Sequence, residues 1–351
     1  MKTDILSILE NARTNKVTPG AVVGFISNGI GSVIASGRLT YDDESIEVSE
    51  STVYDVASVT KSVPLSSLIH IALQEGKLSL DTKATDFVPE LVGKYHELIR
   101  LKDLLTYTAI WDLPTGLSQY AYDGADAVLK AIYTLPLQAK PGEIYHYTNT
   151  PAVILGIILE RLYDKSLDKI AKDKLFLPLN MRQTTFDATK LDETMVAPTE
   201  IDHRGEVRKI VHDEIAYTLN TNTNMISGNA GVFSTASDLL SFCEMIINDG
   251  LAADGSRIFT HQTIEAFQRN YLEEIGESAS LGWELNQPRF MGKHSNNKMF
   301  GKTGFTGCLM LIDVSNNKAM VLLSNSQYPK RHVDRKSVNS LRVDLADLIF
   351  A

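Results

Sequence analysis

Cysteine is scarce in this chain. There are two in 351 residues, Cys243 and Cys308, and no Cys-x-x-Cys pair. That removes a zinc ribbon and a thioredoxin-type redox site from consideration. The eight histidines include no His-x-x-x-His and no His-Glu-x-x-His spacing, so neither a metal nor another cofactor is expected. No stretch reaches the roughly 18–20 apolar residues of a membrane span. The N-terminal segment, Met1-Lys2-Thr3-Asp4-Ile5-Leu6-Ser7-Ile8-Leu9-Glu10, is amphipathic and carries acids, unlike the apolar run of a signal peptide. As written, the sequence therefore reads as cytoplasmic. Positive charge is also in deficit, with 34 Lys and Arg against 43 Asp and Glu, a net charge of −9. A nucleic-acid partner selects a basic balance or stripe and is disfavoured. A small anionic substrate is not, because a local pair of lysines can dominate one cleft. No Gly-x-Ser-x-Gly occurs, which argues against the nucleophile elbow of an α/β-hydrolase.

What is present is ordinary for a globular chain: 44% hydrophobic and 22% charged residues, enough for a sizeable core in one large domain or two. Apolar spacing predicts a helix over residues 3–15. Ala21 to Ile26 reads as a buried strand, Asn28-Gly29 as a hairpin turn, and Ser32 to Ala35 as the returning strand. A long helix is expected from Ser58 to Gly76, with Pro64 kinking it or shifting its start. Helical stretches follow around 101–107, 124–134, 150–163 and 166–174. Thr235-Ala236-Ser237-Asp238 resembles a capping box for a helix that Asp249-Gly250 ends. Cys243 falls within that apolar pattern and is expected in the core. Cys308 to Ile312 and Ala319 to Leu323 read as a hairpin, and 336–350 as a closing helix. Strands at both ends with helices between imply an α+β fold: one antiparallel sheet built from both termini, flanked by helices, with a mainly helical region inserted. The expected division is 1–60 with 225–351 for the sheet region and 61–224 for the helical one. The cleft between them is the expected active site.

Ser-x-x-Lys occurs four times, at Ser58/Lys61, Ser166/Lys169, Ser295/Lys298 and Ser315/Lys318. Ser166 lies in a charged run, and Ser295 and Ser315 each precede Asn-Asn-Lys, which is turn chemistry. Only Ser58 opens a helical pattern. Residues at i and i+3 share a helix face, and a first-turn serine lies near free backbone N–H groups. Downstream stand a single Tyr-x-Asn, Tyr147-Thr148-Asn149, and a single Lys-Thr-Gly, Lys302-Thr303-Gly304, placed directly before a strand. The glycine-rich stretch Asn229-Ala230-Gly231 precedes the helix at 236.

In that order the three motifs resemble those of the penicillin-recognising serine hydrolases: class C β-lactamases, low-molecular-mass D-alanyl-D-alanine carboxypeptidases and family VIII esterases. Flanking stretches extend the likeness over roughly residues 20 to 330. They include Glu75 to Asp81, Leu104 to Thr108, Pro178 to Met181, Val211-His212-Asp213-Glu214 and Phe233 to Leu239. Two positions depart from the family pattern, Tyr107-Thr108-Ala109-Ile110 and Asn180, both outside the catalytic motifs.

The resemblance implies a β-lactamase/transpeptidase-like fold and an acyl-enzyme on Ser58. Lys61 is one candidate base, if burial or a neighbouring cation such as Lys302 lowers its basicity. Tyr147 is the other, its phenolate favoured by two ammonium groups, as the class C branch implies. Backbone N–H groups of Ser58 and Phe305 would form the oxyanion hole, the latter at the start of a strand. Asn149 would orient Lys61 or hold a substrate amide. Lys302, Thr303 and Gly304 would bind a substrate carboxylate, that of a D-alanyl peptide, a muropeptide or a β-lactam. A family VIII carboxylesterase and a β-lactam sensor that stays acylated are the alternatives. Tyr145 and Tyr147 alternate at strand spacing, and His146 between them reads as a satisfied, partly buried side chain. His212 beside Asp213 reads as structural, and Trp111 and Trp283 as core or cleft wall. The partner is a small-molecule or peptide substrate, and the oligomeric state is left open.

Overall fold

A computed structural model of the chain describes residues 1–201, 207–331 and 335–351. Among the described residues there are ten strands, β1 Gly20–Ser27, β2 Ile30–Gly37, β3 Tyr54–Asp55, β4 Glu200–Ile201, β5 Val207–Arg208, β6 Phe233–Ser234, β7 Glu284–Leu285, β8 Phe300–Thr303, β9 Leu309–Asp313 and β10 Lys318–Ser324. Six form one antiparallel sheet in the order β2-β1-β10-β9-β8-β7. Both ends of the chain thus meet in one sheet, where β1 pairs with β10 from Ala21↔Ser324 to Ile26↔Ala319. The β1–β2 turn uses Asn28 and Gly29 at φ 53° and 73°, the left-handed pair that a two-residue hairpin requires.

β1 is apolar without alternation because both faces of the sheet are covered. Val22 and Ile26 join a core shared with the helical region, whereas Ala21, Val23 and Phe25 join a second core. That second core lies under the helices Lys2–Thr14 and Lys336–Ile349, through Ile5, Leu9, Leu345 and Ile349. The helical region centres on Thr150–Tyr163, whose first ten residues are all buried. Trp283 and Trp111 are both buried; Trp283 packs edge-on to Phe300 and stacks with Phe242. Cys243 is fully buried in the helix Ala236–Ile247, capped by Thr235, whose hydroxyl accepts from the Asp238 N–H. Asp238 does not complete a capping box; its carboxylate accepts from Gln183 N–H and the Thr184 hydroxyl instead.

Three local expectations are corrected. The stretch from Ser58 to Gly76 is not one continuous helix, although the break does fall at Pro64, where a kink or a shifted start is expected. A 3₁₀ turn, Ala57–Lys61, is followed by a wider turn, Ser62–Ser66, and only then by the α-helix Ser67–Gln74. Val63 is extended at φ −121°, ψ 106°, the bias that a following proline imposes. The Val63–Pro64 peptide is cis. Lys302-Thr303 does not precede a strand but ends β8, and Phe305 lies in the β8–β9 turn rather than at a strand start. Tyr145 and Tyr147 lie in a loop, because the chain there has no strand partner. Among the described residues no helix is long and apolar enough to cross a membrane.

Candidate active site

The 3₁₀ turn at Ala57–Lys61 brings the first two groups together. At three residues per turn, side chains at i and i+3 eclipse. Lys61 Nζ donates to Ser58 Oγ at 2.9 Å and to the carbonyl of Asn229 at 2.7 Å. Lys61 is 1% exposed and has no carboxylate partner among the described residues. Ala57, just before Ser58, sits at φ 52°, a region a non-glycine residue rarely adopts. Its N–H is held by Asp55 Oδ1 at 2.8 Å.

The end of β8 runs against this turn. A Cβ on Gly304 would lie 2.5 Å from the Val56 carbonyl oxygen, so only glycine allows the approach. Arg342, buried on the helix Lys336–Ile349, donates to the carbonyls of Gly304 (2.8 Å), Gly307 (3.2 Å) and Cys308 (2.9 Å) and holds the β8–β9 turn. Burial pushes its guanidinium down to about 10. Among the described residues, the backbone N–H groups of Ser58 and Phe305 find no acceptor in the chain. Both residues line a cavity of about 470 Å³.

Tyr147 and Asn149 line the same cavity. The Tyr147 ring has Lys302 Nζ 4.2 Å from its centroid and Lys61 Nζ 5.3 Å away, so two ammonium groups flank one aromatic ring. Lys302 is 1% exposed and is not part of the cavity wall; Thr303 and Gly304 are. Glu284 Oε2 lies 3.7 Å from Lys302 Nζ and accepts from the Thr303 N–H at 3.2 Å and its hydroxyl at 3.4 Å. Burial pushes the Lys302 ammonium below the usual lysine range, and the Glu284 carboxylate holds part of it up. Burial likewise raises the phenol of Tyr107, whose ring packs 4.8 Å from that of Tyr147.

No hydrogen bond joins Asn149 to Lys61 among the described residues. Its Nδ2 donates to Asp213 Oδ2 at 3.4 Å, and the contact that orients Lys61 comes from Asn229. Asp213 caps the helix Glu214–Asn222 and accepts from Asn229 Nδ2 at 2.9 Å. His146 is exposed, not partly buried. His212 is buried, yet it forms part of the cavity wall, its Nδ1 2.8 Å from Asp55 Oδ2. Burial works against the imidazolium, but the Asp55 carboxylate outweighs it and raises the His212 pKa. Arg289, Arg331 and Arg335 also face the cavity. Sequence reasoning assigned no role to Asp55, Asn229, Glu284 or these arginines. Asn229 does stand in the glycine-rich stretch noted ahead of the helix at 236, and Asp55 lies three residues before Ser58.

A family model described as Beta-lactamase matches residues 7–343. A protein of Escherichia coli (strain K12) named "Putative D-alanyl-D-alanine carboxypeptidase" is 26% identical over 318 residues, 82% of this chain and 72% of that one. The N-acetylmuramyl-L-alanine amidase of Bacillus subtilis (strain 168) is 24% identical over 308 residues, 79% of this chain and 68% of that one. Among solved structures, the octameric penicillin-binding protein homologue from Pyrococcus abyssi superposes with a TM-score of 0.75 at 22% identity, covering 99% of this chain and 77% of that one. EstCE1, a hydrolase with promiscuous acyltransferase activity, superposes at 0.79 with 18% identity, covering 99% and 98%. These two superpositions speak to the fold, which is of the β-lactamase/transpeptidase type.

Proposed function

We propose, for a chain that belongs to the beta-lactamase family, that it is a serine hydrolase cleaving an ester or amide through an acyl-enzyme on Ser58. The observation that carries this is the 2.9 Å contact between Lys61 Nζ and Ser58 Oγ, in a cavity whose wall includes two residues with backbone N–H groups that have no acceptor among the described residues. With Lys61 as the free amine, the same contact reverses and the Ser58 hydroxyl donates its proton as Oγ attacks the carbonyl carbon. The oxyanion forms between the N–H groups of Ser58 and Phe305, each such donor lowering the barrier by about 3–4 kcal/mol. The leaving group departs with a proton, and water then releases the acid from Ser58. Tyr147, in the cavity wall with both lysine Nζ atoms near its ring, would pass protons in the second step.

The preferred substrate carries a carboxylate, as a D-alanyl peptide or muropeptide fragment does. Supporting this are Arg289 and Arg335 in the cavity wall, neither paired with a carboxylate among the described residues, and the names of the curated relatives, whereas Arg331 is already held by Glu200 and Glu214. A second reading, a carboxylesterase of neutral esters, is favoured by Glu284, whose carboxylate already engages Thr303 and Lys302. Intact-protein mass spectrometry after mixing with benzylpenicillin and with p-nitrophenyl acetate tests the chemistry. The expected result is an adduct on the Ser58 peptide that clears with turnover. No adduct at Ser58 with either reagent sinks the proposal, and a stable adduct without turnover makes the chain a sensor. Steady-state rates on a D-Ala-D-Ala peptide against the neutral ester then separate the two substrate classes.

Lys302 gives a sharper test. From beneath Tyr147 it acts on the charge around the base, with no atom in the cavity wall. Lys302→Ala is therefore expected to lower kcat by about a hundredfold, the lower end of an acid–base contribution, on peptide and neutral ester alike. A loss confined to carboxylate substrates would put the ammonium in direct contact with substrate.

A further inference from the structure

The two N–H groups assigned to the oxyanion hole come from segments about 250 residues apart in the chain, and one buried residue touches both. Asp55 ends β3, and its side chain is 0% exposed. Toward the serine, its Oδ1 accepts from the Ala57 N–H at 2.8 Å. That bond holds the left-handed residue on which the direction of the Ser58 N–H depends. Toward the β8–β9 turn, its own carbonyl accepts from the Thr306 hydroxyl at 2.7 Å, one residue past Phe305. Its Oδ2 accepts from the His212 N–H at 2.9 Å and contacts His212 Nδ1 at 2.8 Å. The His212 ring then lies flat on the Phe305 ring, with centroids 5.1 Å apart and planes 3° apart. Two arginines complete the cluster. Arg335 stacks 4.1 Å from the Phe305 centroid and donates to its carbonyl at 2.8 Å, and Arg331 donates to the His212 carbonyl at 2.7 Å.

We infer that Asp55 and His212 are positioning residues that set the distance between the two oxyanion donors, an inference that rests on Ser58 and Phe305 being those donors. Donors of this kind act only when held within about half an ångström of the productive geometry. The turn at Ala57 and the turn at Phe305 each have a local fold of their own. Gly304 brings the two turns close at Val56, and the Asp55 contacts and the ring stack then fix one against the other. Neither residue reaches the Ser58 hydroxyl by a hydrogen bond among the described residues, so their effect is on geometry and not on proton transfer.

The test uses the full chain and two readouts, steady-state hydrolysis of p-nitrophenyl acetate and the Kd of phenylboronic acid. The boronate forms a tetrahedral adduct on the serine with one oxygen in the oxyanion hole. Asp55→Asn is expected to lower kcat roughly a hundredfold, the scale of losing one oxyanion donor. KM should stay within threefold, and the boronate Kd should rise by the same factor as kcat/KM falls. His212→Ala should lower kcat roughly thirtyfold. His212→Asn, which keeps a donor for Asp55 Oδ2 but removes the ring stacked on Phe305, should recover only part of it. If Asp55→Asn fails to fold, the His212 pair carries the test alone. Loss of melting temperature with kcat and boronate affinity unchanged overturns the inference, as does a kcat loss with no change in boronate Kd. Failure of the underlying reading looks different: the unaltered protein would bind phenylboronic acid as tightly as its Ser58→Ala variant.

Discussion

Ser58→Ala is expected to lower turnover of every substrate by roughly 10⁴- to 10⁶-fold, the range seen when a serine hydrolase loses its nucleophile. The size of the effect follows from the absence of a substitute. Ser166 caps a short helix, and Ser295 and Ser315 sit in turns of the sheet region, none of them in the cavity wall. Ser118 does face the cavity, but no lysine donates to it among the described residues. A serine without a paired base is a poor nucleophile at neutral pH. The fold should barely register the change. Ser58 contributes one hydrogen bond, from Lys61, worth about 1 kcal/mol net. Rates on p-nitrophenyl acetate, read alongside a melting curve, check both halves. Activity within a hundredfold of the unaltered protein would remove Ser58 as nucleophile and with it the acyl-enzyme.

The parts of this site that were legible in the sequence are those whose partners lie within one turn or one motif. Ser58 and Lys61 are three residues apart, and any helical turn brings them to one side. The hairpins at Asn28-Gly29 and Asn316-Asn317 carry their own turn chemistry, and the unbroken apolar run of β1 announced a strand covered on both faces. The interruption at Val63 was legible too, because Pro64 lacks the N–H that a continuous helix needs. The helix type at Ser58 was not legible. Nor were Asp55, Asn229 and Glu284. A lone Asp, Asn or Glu has no periodicity, and its role is set by what tertiary folding brings to it. Asp55 meets His212 across 157 residues and Asn229 meets Lys61 across 168. His212 shows the same limit from the other side. Its neighbour in sequence, Asp213, caps a helix, while the carboxylate that binds its ring belongs to another strand.

Lys61→Met is the second large effect, and it separates Lys61 from Tyr147 as the base for acylation. Lys61 donates directly to Ser58 Oγ, whereas no hydrogen bond joins Tyr147 to Ser58 among the described residues. Methionine fills nearly the same volume and removes the amine. The acylation rate is expected to fall by about 10³- to 10⁴-fold, the upper range for a positioned base. Stability should change much less, for a reason particular to this site. Lys61 is buried with no carboxylate partner among the described residues, so its removal strands no opposite charge. What remains is the Asn229 carbonyl without its donor, a cost of about 1–3 kcal/mol. Pre-steady-state mixing with p-nitrophenyl acetate reads the acylation burst separately from the later release of acetate. With Lys61 as the base, Lys61→Met loses the burst and Tyr147→Phe keeps it while slowing the second phase. The opposite pattern, a burst retained without Lys61 and lost without the Tyr147 hydroxyl, would hand the serine proton to the tyrosine. Lys61 would then be left as the charge that orders the turn.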